Sequence, residues 1–484
     1  MEVVDLLVLS GDVINTALVP TLLMPFALIG VILSSLLTAF AGFFGLDKKE
    51  LSGSMGLLKV LFKPKVLISM LLLNGLVWGG IYGYRYVKNN PYPEFYIKLR
   101  HEPVPSARIY SNSQQDHLDA LGTSGELKGL QQAWSIKVGS GNFGGLEVSG
   151  GSIFTTSKDG YIYENNFEDG QLIRRFYVGT PVIPKVLIWN GMMYVGEGIH
   201  DTENARLYGF DLSSGELKSS FQSLGHIEGD ASVHESENGD TILIPAGKGG
   251  VYALEADTLQ ERWHSQVGHV DGEVQISKNK AFVSTAVERE AKERIHHGYA
   301  LDVDTGKVLW KTGLAASGWS AAVFYENQVC WALGELVPVG EYGQLSCYDQ
   351  DSGQATVSFN FKGPIVAKPI IRGDNVYVST YSGEVCSINL KSKSWTWCQQ
   401  LGDKITYARL TTYNSKYFLY PSSKEGLKFI RARDGELVDV WLPNANEGEW
   451  KRHMWGVAIH NNSLLLGDWY GTLRKIDYSP NLSH

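Results

Sequence analysis

Two short stretches carry the side chains that bind ions or move protons. Gly225-His226-Ile227-Glu228-Gly229-Asp230 and Gly268-His269-Val270-Asp271-Gly272-Glu273 are near-copies, each holding one imidazole and two carboxylates. Imidazole nitrogens and carboxylate oxygens are the donors of cation sites, and such groups also hold basic or hydroxyl-rich ligands. Shared ancestry of two repeats, with both acting as solvated loops, explains the likeness equally simply. A third stretch, Trp450-Lys451-Arg452-His453-Met454-Trp455, is basic and aromatic, and Trp319 and Tyr407 fall at equivalent points. An aromatic rim suits a peptide or glycan; packing inside a channel would use the same residues.

These stretches are positioned by a repeat. Its clearest copy is Gly298-Tyr299-Ala300-Leu301-Asp302-Val303-Asp304-Thr305-Gly306-Lys307-Val308-Leu309-Trp310. Alternating apolar and polar residues give a strand, Asp304-Thr305-Gly306 a tight turn, and the return strand ends on a large aromatic. Related hairpins lie around Gly170, Gly215, Leu259, Gly353, Ser392 and Gly435, and an eighth begins at Thr472. The steps between them are about 40 to 47 residues, the length of a four-stranded propeller blade. The eighth copy stops after Asp477 without an outer strand, whereas the strand around Trp134 has no hairpin before it. Pairing the two closes the ring and hides both edges. The expected fold is therefore all-β: an eight-bladed propeller of four-stranded blades over 131–484, closed by its N-terminal strand. The two His-acid stretches then lie between the outer strand of one blade and the inner strand of the next, next to the central channel. Three middle connections are long (197–206, 287–297 and 334–343), and long loops on a rigid ring are where partners bind or insertions are tolerated.

The first 90 residues read as a membrane anchor. Residues 17–46 contain no charged side chain and 66–87 form a second apolar run bordered by Trp78, Tyr82, Tyr84 and Tyr86. About 20 apolar helical residues cross a bilayer. A cleaved signal peptide fits less well, because Glu2, Asp5 and Asp12 precede the first run and no Lys or Arg does. Lys48, Lys49, Lys59, Lys63 and Lys65 lie between the runs, so that loop faces the cytoplasm and the propeller faces outward. In a Gram-negative cell this is the periplasmic side of the inner membrane, and the helices contact the lipid bilayer. Residues 91–130, with Pro91, Pro93, Pro103 and Pro105, form an extracytoplasmic linker.

The remaining composition narrows the function. A net charge of −8 opposes a nucleic-acid partner, which needs a clustered basic surface. The four cysteines show no zinc-type spacing. Cys386 and Cys398 are symmetric about the turn at Ser392, and Cys330 and Cys347 about the 334–343 connection. Each pair should face across one hairpin; disulfides there suit an oxidising compartment, and buried free thiols remain the alternative.

The stretch Ala300 to Trp310 resembles the tryptophan-docking motif of pyrroloquinoline-quinone-type propeller repeats. The resemblance covers 133–484 and is weaker in other repeats, where Leu259 replaces the glycine and Phe or Val the tryptophan. It implies that Ala300, Gly306 and Trp310, and likewise Trp134, Trp263 and Trp397, pack between blades. Two branches share such repeats. Quinone-dependent dehydrogenases use a carboxylate base beside calcium, and many carry a vicinal disulfide, which this chain cannot form because no two cysteines are adjacent. The non-catalytic branch, typified by BamB outer-membrane assembly lipoproteins, implies a protein-binding scaffold in an envelope assembly or export complex, with no enzyme activity, cofactor or metal. This chain departs from it in having two helices in place of a lipobox cysteine. A quinoprotein oxidoreductase and a glycan- or ligand-sensing propeller are the competing functions.

Overall fold

In a computed structural model, the described residues are Gly79 and Gly80 and most of 130–477, apart from 142–144, 200–201, 287–294, 337, 403–409, 413–415, 423–425, 443–453 and 469. The expected helices at 17–46 and 66–87 fall outside them except for Gly79 and Gly80, as does nearly all of the linker at 91–130. Among the described residues no helix is long and apolar enough to cross a membrane. The chain divides into two units, Met1–Lys88 and Asn89–His484, and the propeller belongs to the second.

The described strands form eight antiparallel sheets of four. In the first blade they run from the inside outward as Leu146–Ser149, Ser152–Thr156, Tyr161–Asn166 and Leu172–Tyr177. Six further blades repeat this order. The eighth is composite: Met454–His460, Ser463–Asp468 and Thr472–Asp477 are joined on the outside by Gln131–Lys137. The register runs from Gln131 opposite Asp477 to Lys137 opposite Thr472, so the first strand of the ring completes the last blade.

Each sheet is buried on both faces, and the side-chain period of two divides its residues between two neighbours. Ile153 packs into the core between blades eight and one, while the adjacent Phe154 packs between blades one and two. Among the described residues there are eight such cores, one per interface. Middle strands such as Ser152–Thr156 and Tyr161–Asn166 are nearly continuously buried for this reason, whereas outer strands such as Gln131–Lys137 alternate between exposed and half-buried positions.

Four tryptophans link one blade to the turn of the next. Trp263 donates from Nε1 to Val303 O at 3.0 Å, Trp310 to Gln350 O at 2.9 Å, Trp397 to Ala432 O at 2.9 Å and Trp134 to Phe167 O at 3.3 Å. Each indole lies against a turn glycine of that next blade: Gly306, Gly353, Gly435 and Gly170 respectively. Trp310 thus docks on Gly353 and not on Gly306 of its own repeat. Ala300 sits directly opposite Trp310 within the hairpin and is fully buried; its small side chain leaves that space to the indole.

The departures from the motif follow from this pairing. The residue of blade two at the Trp263 position is Ser219, opposite Gly209 as Trp263 is opposite Ala253. No indole arrives at the turn of blade three, and Leu259, at φ +55°, fills that place and is 2% exposed. Likewise Val357 stands at the tryptophan position of blade five, and Lys393 occupies the turn of blade six at φ +53°. A turn needs glycine where an indole lies on it.

Candidate functional site

Strands alternate in direction, so the connections between blades emerge at the same end of the ring as the turns between the second and third strands. Local hydrogen bonds show this: Gly198 N donates to Pro181 O at 2.9 Å, Ile227 N to Glu197 O at 3.1 Å, and Ala286 N to His269 O at 2.9 Å. The His-acid stretches and the connections at 197–206 and 334–343 accordingly share one end of the ring. The third long connection, 287–297, belongs to the same class, though 287–294 lie outside the described residues. The 334–343 connection is not a loop. Its strands, Gln328–Leu336 and Val339–Asp349, run on as one long hairpin with Gly334 opposite Gly343.

Of the six residues in the His-acid copies, three converge. His226 Nε2 lies 2.9 Å from Asp271 Oδ1, and His269 Nε2 lies 2.9 Å from Oδ1 and 3.0 Å from Oδ2. The imidazole centroids are 5.1 Å apart. His226 and Asp271 are buried and His269 is half-buried, so the cluster has a closed floor and a partly open side. Burial by itself would raise the Asp271 carboxyl, but hydrogen bonds from both imidazoles and their charge outweigh it and hold the group well below the usual carboxylate range.

The backbone around the cluster is specified closely. Gly247 and Val270 exchange hydrogen bonds of 3.0 and 2.9 Å. Gly247 has φ +48°, and a Cβ there would fall 2.6 Å from His226 Cε1, so only glycine lets this backbone lie against the ring.

The other three residues take separate roles. Glu228 is half-buried in its connection. Asp230 accepts a hydrogen bond from Lys185 N at 2.7 Å, and Glu273 lies 3.4 Å from Lys368 Nζ. Lys185 Nζ in turn pairs with Glu147 at 3.1 Å. Burial opposes the charge of Lys185, but Glu147, Asp230 and Glu273 together outweigh it and raise its pKa. Burial raises the Glu147 carboxyl as well, against the pull of Lys185. These groups line the centre of the ring, and Lys368 reaches from blade six to Glu273 and Gln275 of blade four.

Glu147, Lys185 and Lys368 lie outside the motifs that the sequence singles out. Two of them carried a signal. Lys185, Asp230, Glu273 and Lys368 each stand two residues before an inner strand, at Leu187–Trp189, Ser232–His234, Gln275–Ser277 and Ile370–Arg372. Aligning repeats on that strand would have grouped them. Glu147 lies within its inner strand and outside that register.

Trp319 is half-buried and donates from Nε1 to Gly334 O at 2.7 Å, tying its connection to the long hairpin. Tyr407, Trp450, Arg452 and His453 lie outside the described residues, and Trp455 is described only as part of the strand Met454–His460. A second histidine cluster joins His296 Nε2 to Glu335 at 2.9 Å, with Ser317 Oγ 3.3 Å from His296 Nδ1 and from Glu335 Oε2. It has the residue types of a hydrolytic triad, but Ser317 is completely buried and its hydroxyl bonds to both partners. This arrangement holds two blades together without exposing a nucleophile.

Cys330 is disulfide-bonded to Cys347, and Cys386 to Cys398, each across one hairpin. Cys330, Cys347 and Cys386 belong to the core between blades five and six. Cys398 is on the exposed outer strand.

The fold and its docking tryptophans define an eight-bladed propeller of quinoprotein-type repeats. The chain belongs to the family PQQ_2, described as outer membrane protein assembly factor BamB, whose model matches residues 124–295 and again 291–441. A relative from Shewanella oneidensis, named outer membrane protein assembly factor BamB, is 24% identical over 250 residues, which is 49% of this chain and 58% of that protein. The chain thus matches less than two thirds of that relative's length. Among solved structures, BamB from Moraxella catarrhalis is similar at 14% identity and TM-score 0.53, covering 72% of this chain and all of that one. The computationally designed Ika8 protein is similar at 15% identity and TM-score 0.56, over 72% of this chain and all of its own. The C-terminal WD40 domain of Sif2 reaches 10% identity and TM-score 0.54, over 73% of this chain and all of that domain. At such identities these structures share the fold.

Proposed function

We propose that the chain is a membrane-anchored propeller on the periplasmic side of the inner membrane, acting as a protein-binding scaffold in an envelope assembly or export complex. The family match carries this reading, since the family is described by an assembly factor. The apolar runs at 17–46 and 66–87, with the lysine-bearing segment between them, support the anchor and its orientation.

The end of the ring that carries the connections between blades suits a protein partner. Leu224, Ile295, Val339 and Tyr342, on three of its connections, are 50%, 57%, 50% and 71% exposed. Exposed aromatic and large apolar side chains are enriched at interaction surfaces. A non-catalytic role fits the same residues. The cysteines pair across hairpins and not with an adjacent cysteine, and Ser317 of the His296-Ser317-Glu335 group is buried and offers no accessible nucleophile.

The competing function is quinone-dependent oxidation. Reconstituting the purified full-length chain with pyrroloquinoline quinone and calcium, followed by dye reduction with alcohols and sugars, separates the two. The scaffold reading predicts background rates, and turnover above background refutes it. Alkaline-phosphatase fusions after residue 130 should be active; inactive fusions overturn the periplasmic placement.

A further inference from the structure

We propose that His226, His269 and Asp271 form a binding site for a zinc-class divalent metal ion, clamped between the connections that enter blades three and four. Two imidazole nitrogens and one carboxylate oxygen come within 4.8 Å of one another there. They derive from two separate segments 43 to 45 residues apart, brought together by the ring closing neighbouring blades.

The geometry suits a small ion. A tetrahedral zinc with bonds of about 2.0–2.1 Å holds its ligand atoms roughly 3.3 Å apart. The present separations of 2.9 to 3.0 Å between the Nε2 atoms and the carboxylate need to open by a few tenths of an ångström, while the donor atoms, all within 4.8 Å of one another, close round the ion as the imidazoles turn. On binding, each ring carries its hydrogen on Nδ1 and turns the Nε2 lone pair to the ion. Asp271 supplies a carboxylate oxygen. His269 is the most exposed of the three, with its side chain 10% exposed, so a fourth ligand would enter from its side.

The donor set selects the metal. Two imidazoles with a single carboxylate favour zinc, nickel, cobalt or copper, whereas calcium and magnesium want more oxygen ligands than this cluster holds. The frame is in place without the ion. The Gly247–Val270 bridge fixes the segment between His269 and Asp271, and the bare face of Gly247 makes room for the His226 ring. In the absence of metal the same three side chains hydrogen-bond to one another, which keeps the buried carboxylate compensated. This site stands independently of the scaffold function.

The test uses tag-free, chelator-stripped full-length protein titrated calorimetrically with zinc, and with cobalt to read ligand-field absorption. One equivalent of zinc is expected to bind and to raise the unfolding temperature, and equimolar magnesium or calcium should not displace it. His269→Ala, at the accessible edge of the cluster, should weaken zinc binding at least about 100-fold while keeping the circular dichroism of the parent. His269→Cys, which restores a zinc ligand, should recover most of the affinity. Asp271→Asn should also lose tight binding and the cobalt bands. If the folded wild-type chain takes up no zinc, or His269→Ala binds it as the parent does, the site is refuted.

Discussion

Gly306→Ala isolates the contact on which the blades depend. Gly306 has φ +69°, where a side chain costs about 1 kcal/mol, and its added Cβ would stand 2.4 Å from Cε3 and 2.6 Å from Cδ2 of Trp263. The indole is 7% exposed and hydrogen-bonded to Val303 O, so it cannot swing away without losing that bond and its burial. Overpacking of this kind costs about 1–3 kcal/mol, giving a total of roughly 2–4 kcal/mol. Trp263→Ala alone should cost about 3–5 kcal/mol through lost burial and the cavity left behind. In the Trp263→Ala background the indole clash is gone and only the backbone share and a 2.9 Å approach to Ser265 Oγ remain, so Gly306→Ala should then cost about 1–2 kcal/mol. Gly313→Ala is the control: a Cβ there meets nothing within 4 Å, and stability should move by less than about 0.5 kcal/mol. Urea unfolding followed by circular dichroism reads all four variants. Additive costs in the double mutant would refute the docking argument.

Further outcomes follow from the same structure. Deleting residues 131–137 removes the outer strand of blade eight and the indole on Gly170, and should abolish a stable monomeric ring, seen as aggregation or a large drop in unfolding temperature. Cys398 is exposed whereas Cys330 and Cys347 are fully buried, so mild reductant with alkylation mass mapping should open Cys386–Cys398 well before Cys330–Cys347. Burial raises the Glu197 carboxyl despite hydrogen bonds from Thr180 and Arg206 N. The native state therefore binds its proton more tightly than the unfolded chain, and the contribution of Glu197 to stability falls as pH rises from about 4 through the raised native pKa. Glu197→Gln should match wild type below about pH 4 and exceed it at pH 7, as measured by denaturant midpoints.

The repeat could be read from sequence because a four-stranded blade buried on both faces writes its period into every strand. Ring closure was equally legible, since an unpaired strand at Trp134 and a truncated blade at Asp477 complement each other. What the sequence hid was pairing between repeats. Leu259 looks like a damaged copy of the motif when its own repeat is read alone. Beside Ser219 it is the expected residue, because no indole arrives there. The His-acid stretches illustrate the same limit. Two near-identical segments suggest six equivalent ligands, yet neighbouring blades offer each copy a different environment. Asp271 falls between two imidazoles, while Asp230 and Glu273, one register further along, face the lysines at the centre of the ring. Glu147 meets Lys185 of the neighbouring blade, whereas Lys368 and Glu273, 95 residues apart, meet only because the ring brings blades four and six together at its centre.

The central claim is that this ring binds an envelope protein at the end where its blades connect. Photo-crosslinking in intact membranes tests it most directly, with a benzophenone amino acid placed singly at Leu224, Ile295 or Tyr342, and at Leu172 or Val438 on outer strands as controls. A discrete adduct with a component of an envelope assembly or export complex is expected from the first group and none from the second. Adducts confined to the outer strands, or none from the connection end, would contradict it.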